Sequence, residues 1–344
     1  MGFTVGVNLT GEGTGLLDVA ARQARRLEEI GFDAVEFAES AHDPFLGSVL
    51  AAEATSSLQV HTSVAIAFPR SPMVAAMLAW DLQRFSDGRF VMGLGTQVKG
   101  HNERRFSVPW SAPAPRMREY VQSLRAIWNA FQTGVPLEYA GNHYSFSLMT
   151  ANFNPGPIPA PFPLVELAAV NRNNARVAGE VCDGIRLHPF HSPAYLRNVI
   201  LPAVEAGLRS TGRARETFRV RGGGLVATGP DWPAVEQAVM DVKRWISFYG
   251  STAVYHPVLE QHGALELGQQ LRGLSLQGRW DEMRAAVPDE LVTRLAVVAP
   301  YDRLASEFRA RYRGLVDHLT FNESLLSEPD DDALRALVKD LQSD

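Results

Sequence analysis

The chain has 344 residues, 46% of them hydrophobic, and its 33 basic and 38 acidic side chains leave a formal charge of -5. That length and apolar content suit one large domain or two small ones, and the weakly acidic balance offers no field for nucleic acid or an anionic membrane, so a small molecule is the expected partner. Cys182 is the single cysteine, which excludes an intrachain disulfide framework and a cysteine-based metal cage.

The opening segment MGFTVGVNLT lacks the basic and long apolar regions of a signal peptide, and no apolar run approaches the roughly 20 residues of a membrane span; a cytoplasmic location without membrane contact is expected. Residues 3–8 read as a first strand, and Leu16, Ala20, Ala24, Leu27 and Ile30 then share one face of a helix that Gly31 closes. A second strand over 34–38 runs into Glu39, Ser40, Ala41 and His42. Asp43 and Pro44 are suited to the N-cap and first position of a helix reaching about Thr55. A third strand over 59–65, a helix over 72–85 and a fourth strand over 90–94 follow. Met117, Tyr120, Val121, Leu124, Ile127, Trp128 and Phe131 recur at three- and four-residue spacing, the stripe of a helix with one buried face.

Prolines and a GNHYSF segment break this rhythm over 132–162, where we expect an insertion with a small hairpin. Strands over 164–170, 184–187 and 218–226 then alternate with helices over 174–182, 194–208 and 233–248. Residues 251–300 read as all-helical, a helix over 302–312 precedes an eighth strand at 315–320, and a last helix carries Leu334, Leu337, Val338 and Leu341 on one face after the acidic stretch 328–332. Eight such units predict an α/β fold, a (β/α)8 TIM barrel forming one domain over 1–344, with insertions at about 132–162 and 251–300, after strands four and seven, and a C-terminal helix across its exterior. Both insertions are expected on the side where loops cover an active site. A lid, extra packing and a dimer contact are open readings of them.

Sites of parallel α/β proteins gather at the C-terminal strand ends. Asn171, Arg172 and Asn173, with Asn174, occupy a strand-to-helix turn where free N–H groups, the helix dipole and a guanidinium favour an anion; plain N-capping would account for one asparagine and leave Arg172 unexplained. His188 and His191, in LHPFHSP after strand six, titrate near neutral pH if unperturbed and could move a substrate proton, or could serve only in packing and capping. Phe68, Trp110 and Phe190 could line an apolar pocket or pack the core. Gly222, Gly223 and Gly224 interrupt strand seven, for close approach of a ligand or for a tight bend. Strand one offers only Asn8 where a metal-dependent hydrolase on a barrel would carry paired histidines, so no metal is expected. No GxSxG occurs, and GLGTQVKG lacks the third glycine of a dinucleotide fingerprint.

Four segments carry a resemblance: GFDAVEFAESAHDPF at 31–45, TSVAIAFPRSP at 62–72, DGRFVMGLGTQVKGHNERRF at 87–106 and VNRNNARVAGEVCDG at 170–184. Together they resemble the luciferase-like monooxygenase superfamily and, within it, the oxidoreductases that use the deazaflavin coenzyme F420. The resemblance implies a cofactor at the C-terminal mouth, hydride transfer between F420 and a small or medium organic substrate, and a homodimer. An FMNH2-dependent monooxygenase and a non-catalytic barrel that binds a flavin or another ligand are the alternatives. It also implies a cofactor platform at Thr62, Ser63 and Val64 with a non-prolyl cis bond between the last two, a cofactor wall at Thr96 beside Gly95, and a phosphate anchor at Asn171–Asn173. Glu39 matches an acidic position that similar enzymes follow directly with histidine. Here Ser40 follows and the histidine is displaced to His42, so Glu39 is expected either as general acid or base or as a hydrogen-bond acceptor from the cofactor.

Overall fold

Eight parallel strands close on themselves in a computed structural model that describes residues 2–10, 15–326 and 330–344. They are β1 (Thr4–Leu9), β2 (Ala34–Phe37), β3 (Gln59–Thr62), β4 (Phe90–Gly95), β5 (Leu164–Ala169), β6 (Gly184–Leu187), β7 (Arg219–Arg221) and β8 (His318–Asn322). Each pairs with the next, and β8 pairs with β1 through Thr4↔His318 to Asn8↔Asn322. The (β/α)8 barrel expected from the sequence is therefore the fold.

The helices form where sequence and caps agree. In α1 (Leu16–Ile30) the predicted apolar face is buried, and Gly31 stops the helix at φ 105°, a conformation that glycine adopts without steric penalty. The Asp43 carboxylate accepts from the Phe45 N–H at the start of α2 (Pro44–Ala54), and the Ser71 hydroxyl does the same for Met73 in α3 (Pro72–Phe85). The whole stripe of α4 (Pro113–Thr133), Met117 to Phe131, is buried. At about 1.5–3 kcal/mol for each large apolar side chain removed from water, that face alone fixes the helix on the barrel. The remaining outer elements are α5 (Arg172–Val181), α6 (Leu201–Ser210), α7 (Trp232–Gly250), α8 (Tyr301–Tyr312) and α9 (Asp331–Gln342). α9 buries Leu334, Leu337, Val338 and Leu341 against α1, α8 and β1, and the Leu341 carbonyl accepts from Phe3 N–H below β1. Glu328, in the acidic stretch before it, lies outside the described residues.

Four segments depart from expectation. Strand seven ends at Arg221 because Gly222 and Gly224 adopt φ 145° and 75°; the chain then leaves the barrel, and Leu225–Ala227 pairs in parallel with Ala296–Val298, a strand inside the segment expected to be all-helical. The helix before β7 starts at Pro193 and passes through a π turn at Leu196–Ile200, next to Pro202, which has no N–H to give to a regular α ladder. Strand eight starts three residues later than expected, since the buried Leu315 and Val316 close the turn after α8.

The fourth is the segment 132–162. It leaves α4 at its C-terminal end, the side of the barrel opposite the mouth, and packs along that helix. Its hairpin, Tyr139–Ala140 with Ser145–Phe146, is held where the Glu119 carboxylate accepts from His143 and Tyr144 N–H groups and Arg116 Nε donates to the Tyr144 hydroxyl. The segment after β7 does reach the mouth.

Candidate active site

At the mouth, β3 breaks after Thr62, and the chain resumes at Ala65–Ile66, which pairs with Leu94 and Gly95 at the end of β4. The peptide bond between Ser63 and Val64 is cis. Those two residues are half-buried while His61, Thr62, Ala65 and Ile66 on either side are fully buried, so the break brings Ser63 and Val64 to the surface of the mouth. Val64 leans on Gly95, where a Cβ would come within 2.6 Å of its Cγ2. Asn8, at the end of β1, donates to the Ser63 carbonyl at 3.4 Å, and its own buried Oδ1 has no partner. Thr96 is half-buried beside Gly95, and its carbonyl accepts from Asn102. Thr62 belongs to the wall instead: its hydroxyl donates to the Gly93 carbonyl at 2.7 Å in full burial.

Glu39 lies two residues beyond the end of β2, with its side chain 8% exposed. Its Oε2 accepts from Arg70 Nη1 at 2.6 Å and from the Ile66 N–H at 2.7 Å, while Arg70 Nη2 reaches Asp43 at 2.6 Å. The carboxylate thus ties the segment after the cis bond to β2. His42 lies on an exposed turn beyond it.

The turn after β5 is half braced and half open. Asn171 does not cap α5 with its side chain; its Nδ2 donates to the Val254 carbonyl and its Oδ1 accepts from the Tyr195 hydroxyl. Arg172 and Asn173 are exposed in the first turn. His188 stands in a cage formed by Tyr249, near the end of α7, and Tyr255 of the insertion that follows it, at ring distances of 4.6 and 4.7 Å. Its Nδ1 accepts from the Phe190 N–H, so its proton sits on Nε2, 3.3 Å from the Tyr255 hydroxyl. His191 donates Nδ1–H to the His188 carbonyl and turns inward, its Nε2 unpartnered and its ring against Tyr312. Burial pushes His188 down to about 3 and His191 to about 4. Both are therefore neutral at pH 7, where an unperturbed histidine would titrate. Phe68 and Phe190 are core residues, whereas Trp110 is half-buried in the loop after β4.

Directly beneath Ser63 lies a set of groups that the strand patterns did not single out. Glu36 of β2, His61 of β3, Glu166 of β5, Arg186 of β6, Arg221 of β7 and His318 of β8 are all buried in the barrel interior. Arg186 is the hub. Its Nη1 donates to Glu36 at 2.6 Å and to the Ser63 hydroxyl at 3.1 Å, its Nη2 reaches His61 Nδ1 at 2.7 Å, and its Nε lies 2.9 Å from Glu166. Arg221 pairs with the other oxygen of Glu166, and His318 Nε2 and the Thr320 hydroxyl donate to the second oxygen of Glu36.

Burial would raise the Glu36 carboxyl, but Arg186 and the histidine hydrogen bonds outweigh it and hold the group well below its usual range. Burial and the Arg221 charge push His61 and His318 down, so both stay neutral. Two carboxylates then face two guanidiniums, and the lumen carries no net charge. The signal in the sequence is a single charged residue between apolar neighbours in β2, β5 and β6, VEF, VEL and IRL, and a histidine between valine and threonine in β3, VHT. The close packing requires Gly93, whose Cβ would collide with the Thr62 carbonyl and sit 2.6 Å from Arg186 Nε.

Among the described residues no group of three or more His, Cys, Asp or Glu could hold a metal ion, and no helix is long and apolar enough to cross a membrane. The profile of the luciferase-like monooxygenase family matches residues 2–318. An uncharacterised protein of Mycobacterium tuberculosis is 45% identical over 319 residues, 93% of this chain and 94% of its own length. A second protein of that organism, named as a coenzyme F420-dependent oxidoreductase, is 27% identical over 81% of this chain and 83% of its own. Among solved structures, the coenzyme F420-dependent tetrahydromethanopterin reductase of Methanopyrus kandleri superposes with a TM-score of 0.79 at 16% identity, over 99% of this chain and 98% of that one.

Proposed function

The chain belongs to the luciferase-like monooxygenase family, and on that premise we propose that it is an F420-dependent oxidoreductase passing a hydride between the deazaflavin and a small or medium organic substrate. One observation carries this reading: the mouth combines an apolar step, Val64 on Gly95, with an unpartnered acceptor at Asn8 Oδ1 and an open helix start at Arg172 and Asn173. These residues fit a flat heterocycle with a ring N–H and an anionic tail. Ser63, Val64 and Thr96 would hold the ring, and Asn171, Arg172 and Asn173 the tail, with Asn171 acting through its brace to the insertion. The hydride would be supplied or accepted by F420 when it is bound.

The chain's own residues orient and shield. Glu39, engaged by Arg70 and Ile66, acts as the acceptor that fixes the platform segment. His188, neutral with its proton at Nε2, offers a hydrogen-bond donor at the substrate side, and Tyr249 and Tyr255 exclude water around it. His191 supports His188 through its carbonyl contact. The exposed Leu46, Val49, Val74 and Met77 on the neighbouring helices α2 and α3 support a homodimer, to be read from the solution mass.

The family's description favours one competing reading, an FMNH2-dependent monooxygenase. Titration separates the two. Quenching of F420 fluorescence at micromolar protein with no response to FMN is the expected result; tight FMN binding with reduced-flavin-dependent oxygen uptake would establish the alternative, and binding of neither cofactor would favour a non-catalytic barrel. Glu39→Gln is expected to weaken F420 binding at least as much as it slows turnover.

A further inference from the structure

A cavity of about 390 Å³ lies outside the barrel, between the start of the helical run at Pro193, the short helix Asp289–Leu295 and the end of α8. Its polar lining is Ser192, Arg197, His262, Thr293, Arg294 and Arg311, and no carboxylate lines it among the described residues. This sets it apart within an acidic chain whose buried arginines are paired with carboxylates. The Arg197 and Arg294 guanidiniums have no hydrogen-bond or ion-pair partner among the described residues.

Arg311 is fixed in place: its two terminal nitrogens donate to the Thr293 and Arg294 carbonyls, at 2.8 and 2.9 Å. Ser192 and His262 are joined at 2.8 Å on the opposite side. Burial and the Arg294 charge together hold His262 below its ordinary value, as expected where positive charge is uncompensated. Three guanidiniums line one recess without a carboxylate beside them, and the two unpartnered ones, Arg197 and Arg294, offer the planar fork of donors that suits an oxyanion. The volume falls in the range of small-molecule pockets and exceeds what a lone phosphate ion needs.

We infer that this cavity is a binding site for a phosphate-bearing small molecule, held by Arg197, Arg294 and Arg311 and separate from the cofactor platform at the mouth. The inference does not rest on the F420 reading, because the site is built from residues outside that platform. Two sources can supply the phosphate, an independent phosphorylated metabolite or the tail of a cofactor that extends this far.

The test is calorimetric titration of the full chain with inorganic phosphate, pyrophosphate and glycerol 3-phosphate, in low-chloride buffer. Glycerol serves as the uncharged control. Saturable binding of the phosphates but not of glycerol is expected, weakened roughly tenfold or more in Arg197→Ala/Arg294→Ala, whose side chains are partnerless and exposed so that the fold is retained. A charge reversal, Arg197→Glu, should abolish it. Unchanged binding after saturation with F420 assigns the site to an independent metabolite, and competition assigns it to the cofactor tail. Absence of saturable binding, or binding that the double variant leaves intact, overturns the proposal.

Discussion

Replacing Arg186 by methionine tests the barrel interior most directly. The change keeps most of the aliphatic stem and removes the guanidinium that contacts Glu36, Glu166, His61 and Ser63. Glu166 keeps Arg221. Glu36 keeps only neutral partners, His318, Thr320 and the nearby His61, and the lumen passes from neutral to one net negative charge. Removing one partner of a buried ion pair costs about 3–5 kcal/mol, a large part of the roughly 5–15 kcal/mol that holds a protein folded.

The penalty has a predictable pH dependence. In the wild type Glu36 is held below its ordinary value of 4.5, so its contribution is present above that pH and lost as the pH falls through the depressed folded value. Without Arg186, burial dominates and the folded value rises above the unfolded one. The contribution of Glu36 is then complete below the unfolded value and lost as the pH rises. Either His61 or His318, relieved of the same neighbouring charge, could take the compensating proton instead, and the sign is unchanged. Urea unfolding followed by circular dichroism at pH 5, 6, 7 and 8 gives the difference from wild type at each pH, in which shared titrations cancel. We expect about 3–5 kcal/mol at pH 8, shrinking by at least about 1 kcal/mol at pH 5. A penalty under about 1 kcal/mol, or one that does not vary with pH, would refute the reasoning.

Three further outcomes follow from the geometry. Gly93→Ala drives a methyl group into the Thr62 carbonyl and Arg186 and should cost about 3 kcal/mol or yield insoluble protein, read from thermal unfolding; a midpoint within a degree or two of wild type would contradict the packing. Asn171→Ala loses the bonds to Val254 and Tyr195, so amide exchange over 251–262 should accelerate while the barrel strands keep their protection, at a cost of about 1–2 kcal/mol. His188 has its folded value pushed down to about 3 from an ordinary 6.5, so its contribution is present above pH 6.5 and lost as the pH falls toward 3. His188→Gln should flatten the stability profile between pH 6.5 and 4.5, with His191 leaving a residual slope, and an unaltered slope would show that His188 does not resist protonation.

Most of the barrel could be read from the chain because parallel strands buried on both faces are short apolar runs, and the intervening helices carry clear stripes such as Met117 to Phe131. Strand seven could not. Phe218 to Val226 has the composition of one strand, and only backbone conformation at Gly222 and Gly224 shows that its halves belong to different ladders. The segment 132–162 was expected over the mouth by its position after strand four, yet it follows α4, whose end lies on the opposite side. Proximity of Glu39, Ser63 and Thr96 to one another follows from barrel order, but the engagement of Glu39 by Arg70 depends on a turn that periodicity does not describe. The interior charges are hard to read in the chain for a related reason: a glutamate between valine and phenylalanine has no visible partner until Arg186, 150 residues away, is brought beside it.

The small ladder formed by Leu225–Ala227 and Ala296–Val298 has a consequence for how such a protein can diversify. Everything between those two strands leaves the barrel and returns to it at adjacent points, joined by a ladder that the Ala299 and Tyr301 N–H groups extend by bonding to Ala227 and Gly229 carbonyls. The excursion is in effect a cassette with a shared entrance and exit. Its helices, with the tyrosines they hold over His188, could be shortened, lengthened or exchanged while β7 and β8 keep their register, so selection could revise the roof of the barrel mouth without disturbing its walls.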